Sequence, residues 1–226
     1  MTRRQPPNEA QPVVTRVRIR YGKSGRMRFA SHRDFQRALE RAVRRAGLPI
    51  AMSGGFTPHP RISYANAAPT GAASEAEYVE LGLSAPVAAD EVAAALNGAL
   101  PDGFRILAAA EADRTALADQ LQASRWRIEL PDRSRERIDA AIATMWQRAP
   151  VTVPRLTKSG TRDIAVTDNW VAAEADDDGV LRVVVRAATP TVRPDDIVAA
   201  LGIGPATVCT REAQGPLVAG AVTNAF

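Results

Sequence analysis

Residues that build metal and redox centres are scarce in this 226-residue sequence, which holds one cysteine, Cys209, and two histidines, His32 and His59. A single cysteine cannot form an intrachain disulfide, which is typical of proteins in the reducing cytoplasm. It also excludes Cys-ligated iron–sulfur clusters and Cys-rich zinc sites, and no HExxH or paired DxD spacing is present. We therefore expect a cytoplasmic protein with no metal and no cofactor.

Long apolar runs are also absent. The N-terminal residues lack the apolar segment of a signal peptide, and the longest uncharged stretch, residues 46–60, is interrupted by proline and glycine. We therefore expect neither a signal peptide nor a membrane span. Aromatic residues make up only 5% of the chain, so the core has to be built mainly from Ala, Val, Leu and Ile.

The basic residues are concentrated in one part of the chain. The formal net charge of +4 divides into a block over residues 1–61, with 14 Lys or Arg against three acids and a net charge of +11, and a remainder of −7. Such a block is typical of a surface that binds a polyanion. The same asymmetry would arise if the acidic remainder of the chain neutralised the block.

The pattern of the first half predicts a mixed α and β unit. Residues 1–12 are polar and contain prolines, which indicates a disordered arm. Alternation from Val13 to Tyr21 predicts a strand with arginines on one face. Ser31 and Asp34 have the spacing of a capping box, which predicts a helix over about 32–46. Strands at about 62–67, 76–84 and 104–109, with a helix at 88–100, complete the order βαββαβ.

The second half repeats this order. We expect strands near 126–130, 151–156, 164–173, 181–186 and 206–211, a helix from Asp132 to about 148, and a short helix over 194–202. The predicted fold class is therefore α+β, with two tandem ferredoxin-like units. We place the first at 13–112 and the second at 124–212, followed by a C-terminal tail over 213–226.

Basic side chains on one strand and one helix form the candidate RNA-binding surface. In a ferredoxin-like unit the helices cover one sheet face, and the predicted strand puts three arginines beside Tyr78 and Glu80 on the other. The helix carries an arginine row with few neighbouring acids. The candidate residues are Arg16, Arg18, Arg20, Lys23, Arg26, Arg28, His32, Arg33, Arg37, Arg41, Arg44, His59 and Arg61. The structural alternatives are that Glu80 pairs with an arginine, or that this face is buried.

The two histidines are the candidate catalytic residues. His32 opens the predicted helix beside basic residues, where a histidine can act as an acid or base in RNA cleavage, or simply bond to the backbone. His59 lies between two prolines in a stiff Gly-rich loop. That loop is either a recognition element or a connector that plugs Phe56 into the core.

Two groups of motifs stand out over residues 16–80. They are Arg18-Ile19-Arg20-Tyr21, Lys23, Gly25, Arg28-Phe29, Ser31-His32 and Asp34, and then Gly55 to Ala65 with Ser74, Glu77 and Tyr78. Together they resemble the radical-SAM-linked protein family. Members of that family form the C-terminal region of cobalamin-binding radical SAM proteins or are encoded near them. The sequence departs from the family at Arg33, where an aliphatic residue is usual.

The resemblance implies a partnership with a radical SAM enzyme, for example in RNA modification, and assigns no activity to any residue. The chain lacks the three-cysteine cluster motif, so it is not itself a radical SAM catalyst. Its element order is also similar to that of the tandem ferredoxin-like RNA endonucleases that process CRISPR transcripts. That similarity is one of fold only.

Three functions follow from these observations. The leading one is a non-enzymatic RNA-binding or substrate-presenting accessory protein that works with a radical SAM enzyme or with RNA-processing machinery. The second is a metal-independent endoribonuclease that uses His32 or His59. The third is a protein-interaction adaptor with no RNA contact. None of the three requires a membrane partner.

Overall fold

A computed structural model describes residues 8–131, 134–158 and 160–226 of the chain. The fold is α+β, with mostly antiparallel strands and five α-helices among these residues. The chain divides into two compact units. The first contains the residues up to Thr70, Glu77–Ala118 and Phe226, and the second contains Gly71–Ala76 and Asp119–Ala225. Within the described residues, no helix is both long enough and apolar enough to cross a bilayer.

The first unit has the predicted order of elements. In chain order they are β1 (Thr15–Lys23), α1 (His32–Arg45), β2 (Ile62–Ala65), β3 (Ala73–Leu83), α2 (Ala89–Asn97), β4 (Phe104–Glu111) and the short α3 (Leu117–Gln120), which ends beyond the unit. A 3-10 turn, Gly25–Phe29, precedes α1. The strands lie in the order β4-β1-β3-β2, and the β1–β4 and β2–β3 pairs are antiparallel.

Helix α1 begins and ends where the sequence indicates. The Ser31 side chain accepts a hydrogen bond from the Asp34 backbone, and the Asp34 carboxylate accepts one from Ser31, so the predicted capping box is confirmed. Gly47, with φ of +66°, follows the last residues of the helix. The buried stripe of α1 packs on the apolar face of β1 and β3. It consists of Phe35, Ala38, Leu39, Ala42 and Val43.

The predicted N-terminal arm lies partly outside the described residues. Residues 1–7 are not described. In the part that is, the Asn8 side chain donates to the Gly55 carbonyl at 3.1 Å, and the Gln11 backbone donates to the Met52 carbonyl at 3.0 Å. Residues 8–11 are therefore hydrogen-bonded to the loop that contains His59.

The second unit contains a four-strand arrangement and a separate hairpin. Its elements are β5 (Ala123–Glu129), α4 (Arg135–Gln147), β6 (Thr152–Thr157), β7 (Gly160–Ala165), β8 (Trp170–Ala175), β9 (Val180–Arg186), α5 (Pro194–Leu201), β10 (Val208–Gly215), β11 (Leu217–Val218) and β12 (Ala221–Val222). The order is β10-β5-β9-β8, and Ala73 and Ser74 pair in parallel with β10.

Two predictions for this unit need correction. The strand expected over 164–173 is two strands, because β7 ends in its own hairpin with β6 and a 3-10 turn, Thr167–Asn169, separates it from β8. The expected tail also holds the small hairpin of β11 and β12. The helix start expected at Asp132 lies outside the described residues, and α4 is capped by the Ser134 side chain.

Candidate nucleic-acid interface

Arg18, at the centre of the arginine face of β1, is covered rather than open, which corrects the expectation drawn from the alternation. Arg18 is 4% exposed. It donates to Glu80 Oε2 at 3.1 Å, to Asp113 Oδ1 at 2.8 Å and to the Thr115 carbonyl. The segment after β4 supplies two of these three partners. Arg18 is therefore bound by the protein's own acceptors and does not lie on a free surface.

The other two arginines of β1 are held in different ways. Arg16 is about half exposed and donates to Glu80 Oε1 at 3.2 Å, so the alternative that Glu80 pairs with arginine is confirmed. Arg20 is half-buried, and its Nε has no hydrogen-bond partner among the described residues. This face and residues 113–118 together line a cleft of about 520 Å³. Glu80 and Asp113 also line it, and their carboxylates neutralise Arg16 and Arg18.

Lys23 is also buried, which removes it from the candidate surface. It is 6% exposed, and its Nζ donates to the carbonyls of Ala68 at 3.3 Å and Pro69 at 3.2 Å. Glu77, 2% exposed, accepts a hydrogen bond from the Ala68 backbone at 2.9 Å. Lys23 and Glu77 therefore fix the loop between β2 and β3 instead of facing solvent.

The arginine row of α1 remains exposed. It consists of Arg33, Arg37, Arg41 and Arg44, all on the side opposite the buried stripe. At a rise of about 1.5 Å per residue the row extends over roughly 16 Å. Within the segments that the structure describes, Arg33, Arg41 and Arg44 form no ion pair.

Arg37 lies close enough to Asp34 to affect its titration. The pKa of Asp34 is lowered, mainly by the hydrogen bond from the Ser31 side chain, then by the Ser31 backbone, and less by the charge of Arg37. The Asp34 carboxylate is thus already engaged at the helix start. Asp34 therefore leaves most of the positive charge of the arginine row on α1 without a counter-charge.

Basic side chains also lie in the 3-10 turn before α1 and at β2. Arg26 and Arg61 are exposed. Arg28 is half-buried, and its guanidinium carbon lies 4.7 Å from the centre of the Phe29 ring. Phe29 itself is 59% exposed. The turn therefore presents cations and one aromatic ring next to the start of the arginine row.

His32 is exposed at the first turn of α1, and its ring is oriented by two neighbours. Tyr64 meets it edge-on, with ring centres 5.0 Å apart, and Gln36 Nε2 lies 3.1 Å from His32 Nε2. The Tyr64 hydroxyl is buried without a hydrogen-bond partner among the described residues. Burial raises the pKa of Tyr64, and Glu40 raises it further.

His59 is exposed, and two hydrogen bonds to Ser53 fix its backbone. Its N–H donates to Ser53 Oγ at 2.9 Å, and its carbonyl accepts from the Ser53 N–H at 2.8 Å. The alternative in which Phe56 plugs the core is wrong, because Phe56 is 63% exposed. In the segments the structure covers, no three His, Cys, Asp or Glu side chains converge on a common point.

Sequence reasoning missed Asp113 and Phe29. Asp113 is 95 residues from Arg18 and lies in an irregular segment, so no local pattern marks it as a partner. The aromatic ring had a signal, since an Arg-Phe pair in a segment of high positive charge is unusual for a core position.

The geometry defines an α+β protein whose first unit presents a basic helix. Residues 16–194 match a family described as "Uncharacterized protein conserved in bacteria" (DUF2344), so the chain belongs to that family. All thirteen candidate site residues lie inside the match. The match provides no link to radical SAM proteins. No curated protein matches the chain.

Proposed function

We propose that this protein binds RNA through the exposed face of α1 and acts as a non-enzymatic, RNA-presenting accessory protein. The observation that carries the proposal is the contrast between the two sets of arginines in the first unit. Arg16 and Arg18 on β1 have carboxylate partners, whereas Arg33, Arg41 and Arg44 on α1 form no ion pair with a described residue.

The uncompensated row has a physical cost that a polyanion would remove. Like charges four residues apart on a helix repel one another by a few tenths of a kcal/mol per pair. A phosphate backbone supplies regularly spaced negative charges, and its binding releases condensed counterions. A helix face evolved only for solubility would normally carry both signs of charge.

We further propose that the two units are tandem ferredoxin-like units. Strand orders of β4-β1-β3-β2 and β10-β5-β9-β8 support this. In each unit the first and third strands lie at the centre, if the separate β6–β7 hairpin is left out of the count for the second unit. In such a unit both helices cover one sheet face. This would leave α1 with its outer face available to a ligand, as its exposed arginines require.

A double charge reversal on α1 tests RNA binding. We expect Arg37→Glu with Arg41→Glu to weaken binding of a single-stranded RNA at least tenfold at low salt. The slope of log K against log salt should become shallower by about 1.4, since each phosphate contact to a single strand contributes about 0.7.

The matched control reverses two exposed arginines of the second unit. Arg148→Glu with Arg162→Glu makes the same change in net charge, so a general electrostatic effect would weaken binding equally in both variants. Equal losses, or unchanged affinity in the α1 variant, would refute the proposed site.

Copurification tests the accessory role. A radical SAM enzyme or an RNA-processing protein that still copurifies after nuclease treatment would support that role. Copurification of such a protein without any RNA affinity would favour the adaptor.

His32 supports a second candidate, a metal-independent endoribonuclease. Its exposed ring is oriented by Tyr64 and Gln36 at the head of the arginine row, where a general acid or base would meet a bound phosphodiester. Labelled RNA incubated with EDTA should then be cleaved by the wild type and by His59→Ala, but not by His32→Ala. Cleavage lost only in His59→Ala would assign the reaction to the Gly-rich loop. No cleavage by the wild type removes the enzyme hypothesis.

A further inference from the structure

Phe29 is an exposed aromatic ring inside a basic segment. It ends the 3-10 turn Gly25–Phe29, three residues before α1, and is 59% exposed. Residues 23–33 hold four Lys or Arg and no acid. A single exposed apolar side chain is common in proteins and by itself indicates nothing. The neighbours of Phe29 are what distinguish it.

Arg28 fixes the ring from one side. Its guanidinium carbon lies 4.7 Å from the ring centre, a cation–π distance. The Arg28 Nε is buried and has no hydrogen-bond partner among the described residues. Arg28 therefore packs against the Phe29 ring, while more than half of the Phe29 surface stays exposed to water. A ring held in this way is preorganised to receive a flat ligand.

The arginine row lies within reach of this ring. Arg33 lies four positions after Phe29, so their Cα atoms are at most about 14 Å apart. The row continues for roughly 16 Å along α1. A chain of phosphates bound to α1 could therefore place a base at Phe29. The charged surroundings argue against a protein partner, because hydrophobic contacts between proteins use larger apolar patches.

We infer that Phe29 is a stacking platform for a base of single-stranded RNA whose phosphates lie along the arginine row. The inference rests on the proposed RNA-binding function and names its ligand class. Bases in a duplex are paired and stacked, whereas an unpaired base exposes a π face that can stack on a phenylalanine ring. The sequence preference should be weak, since every base has such a face.

Two substitutions and three nucleic acids test this inference. Phe29→Leu keeps an apolar side chain but removes the ring, and Phe29→Tyr keeps the ring. On a short single-stranded oligouridylate, Phe29→Leu should weaken binding about tenfold and Phe29→Tyr should bind like the wild type. On an oligonucleotide of the same length made of abasic residues, all three proteins should bind equally. A duplex of equal length should bind no more weakly to Phe29→Leu than to the wild type.

The inference is overturned if Phe29→Leu binds oligouridylate as tightly as the wild type, or if it loses the same factor on the abasic strand. If the stacking inference fails but the RNA-binding proposal holds, Phe29→Leu binds RNA normally while the Arg37→Glu, Arg41→Glu variant binds it more weakly. If the wild type binds no RNA, both proposals fail. Unchanged urea unfolding of Phe29→Leu confirms that the substitution leaves the fold intact.

Discussion

Replacing Arg18 with methionine removes the cation that joins β1 to Glu80 and to residues 113–115 while keeping an apolar stem in its place. Arg18 is 4% exposed, and the Glu80 side chain is 15% exposed. A hydrogen bond to a charged group in such a setting contributes about 1.5–3 kcal/mol. The Asp113 side chain is 61% exposed, so that ion pair contributes no more than about 1 kcal/mol.

Together with the donor lost by the Thr115 carbonyl, these values predict that Arg18→Met destabilises the first unit by about 3 kcal/mol. With an m-value of about 1.5 kcal/mol/M, the urea midpoint should fall by about 2 M. Asp113→Ala should lower the midpoint by less than about 0.7 M, because solvent already screens that carboxylate.

The distribution of aromatic residues allows this to be measured by unit. Tyr21, Tyr64 and Tyr78 lie in the first unit, and Trp126, Trp146 and Trp170 lie in the second. Tyrosine fluorescence reports on the first unit. It is obtained by subtracting the emission excited at a wavelength that only tryptophan absorbs from the emission excited at a wavelength that both residues absorb. Arg105→Met, an exposed arginine on β4, is the control and should shift the midpoint by less than about 0.3 M. An unchanged tyrosine midpoint in Arg18→Met would show that the buried ion pairs do not stabilise the unit.

Two further predictions concern the helix start and the end of β10. Ser31→Ala removes the side-chain hydrogen bond that contributes most to the lowered pKa of Asp34. In an NMR carboxyl titration this pKa should therefore rise towards its ordinary value. An identical Asp34 pKa in the wild type and the variant would contradict the capping box. A carboxyl whose pKa is lower in the folded than in the unfolded protein stabilises the fold above the unfolded-state pKa, and this stability is lost as the pH falls through the folded-state pKa. Because the folded-state pKa of Asp34 is higher in Ser31→Ala, acid fraying of α1 should begin at higher pH in this variant. A Cβ at Gly215 would lie 2.7 Å from the Ala225 nitrogen and closer still to the Thr223 carbonyl, so Gly215→Ala should destabilise the second unit by about 2 kcal/mol in tryptophan-monitored unfolding. Gly98→Ala, where the same atom would lie 3.7 Å from its nearest neighbour, should be neutral or slightly stabilising when unfolding of the first unit is followed by tyrosine fluorescence. A loss as large as that of Gly215→Ala would contradict the steric argument.

Local periodicity predicted helix α1 and its two faces correctly. The capping box, the buried stripe through Leu39 and the outward arginines all depend on residues three or four positions apart, which a sequence displays directly. The turn between β8 and β9 has an equally local basis, because the Asp176 carboxylate accepts hydrogen bonds from the backbone N–H groups of Asp178 and Val180.

The state of the β1 arginines could not be predicted in the same way. Alternation correctly placed Arg18 opposite the helix-covered face, but its exposure depends on Asp113 and Thr115, which arrive from beyond β4. The break between β7 and β8 lies at the 3-10 turn Thr167–Asn169, and β7 pairs with β6 in a hairpin of its own. Long-range pairing therefore removes Arg18 from the candidate interface and leaves the arginine row of the helix.

Strand β3 contributes residues to both units. Ala73 and Ser74 pair with Thr210 and Arg211 of the second unit, whereas the following residues from Tyr78 to Leu81 pair with β2 of the first. Neither unit is thus a continuous piece of the gene. A fragment ending at residue 118 would leave the first residues of β3 as an unpaired edge prone to aggregation, and a fragment starting at 119 would lack them. On the ribosome, the second unit can complete its sheet only with residues made more than a hundred positions earlier.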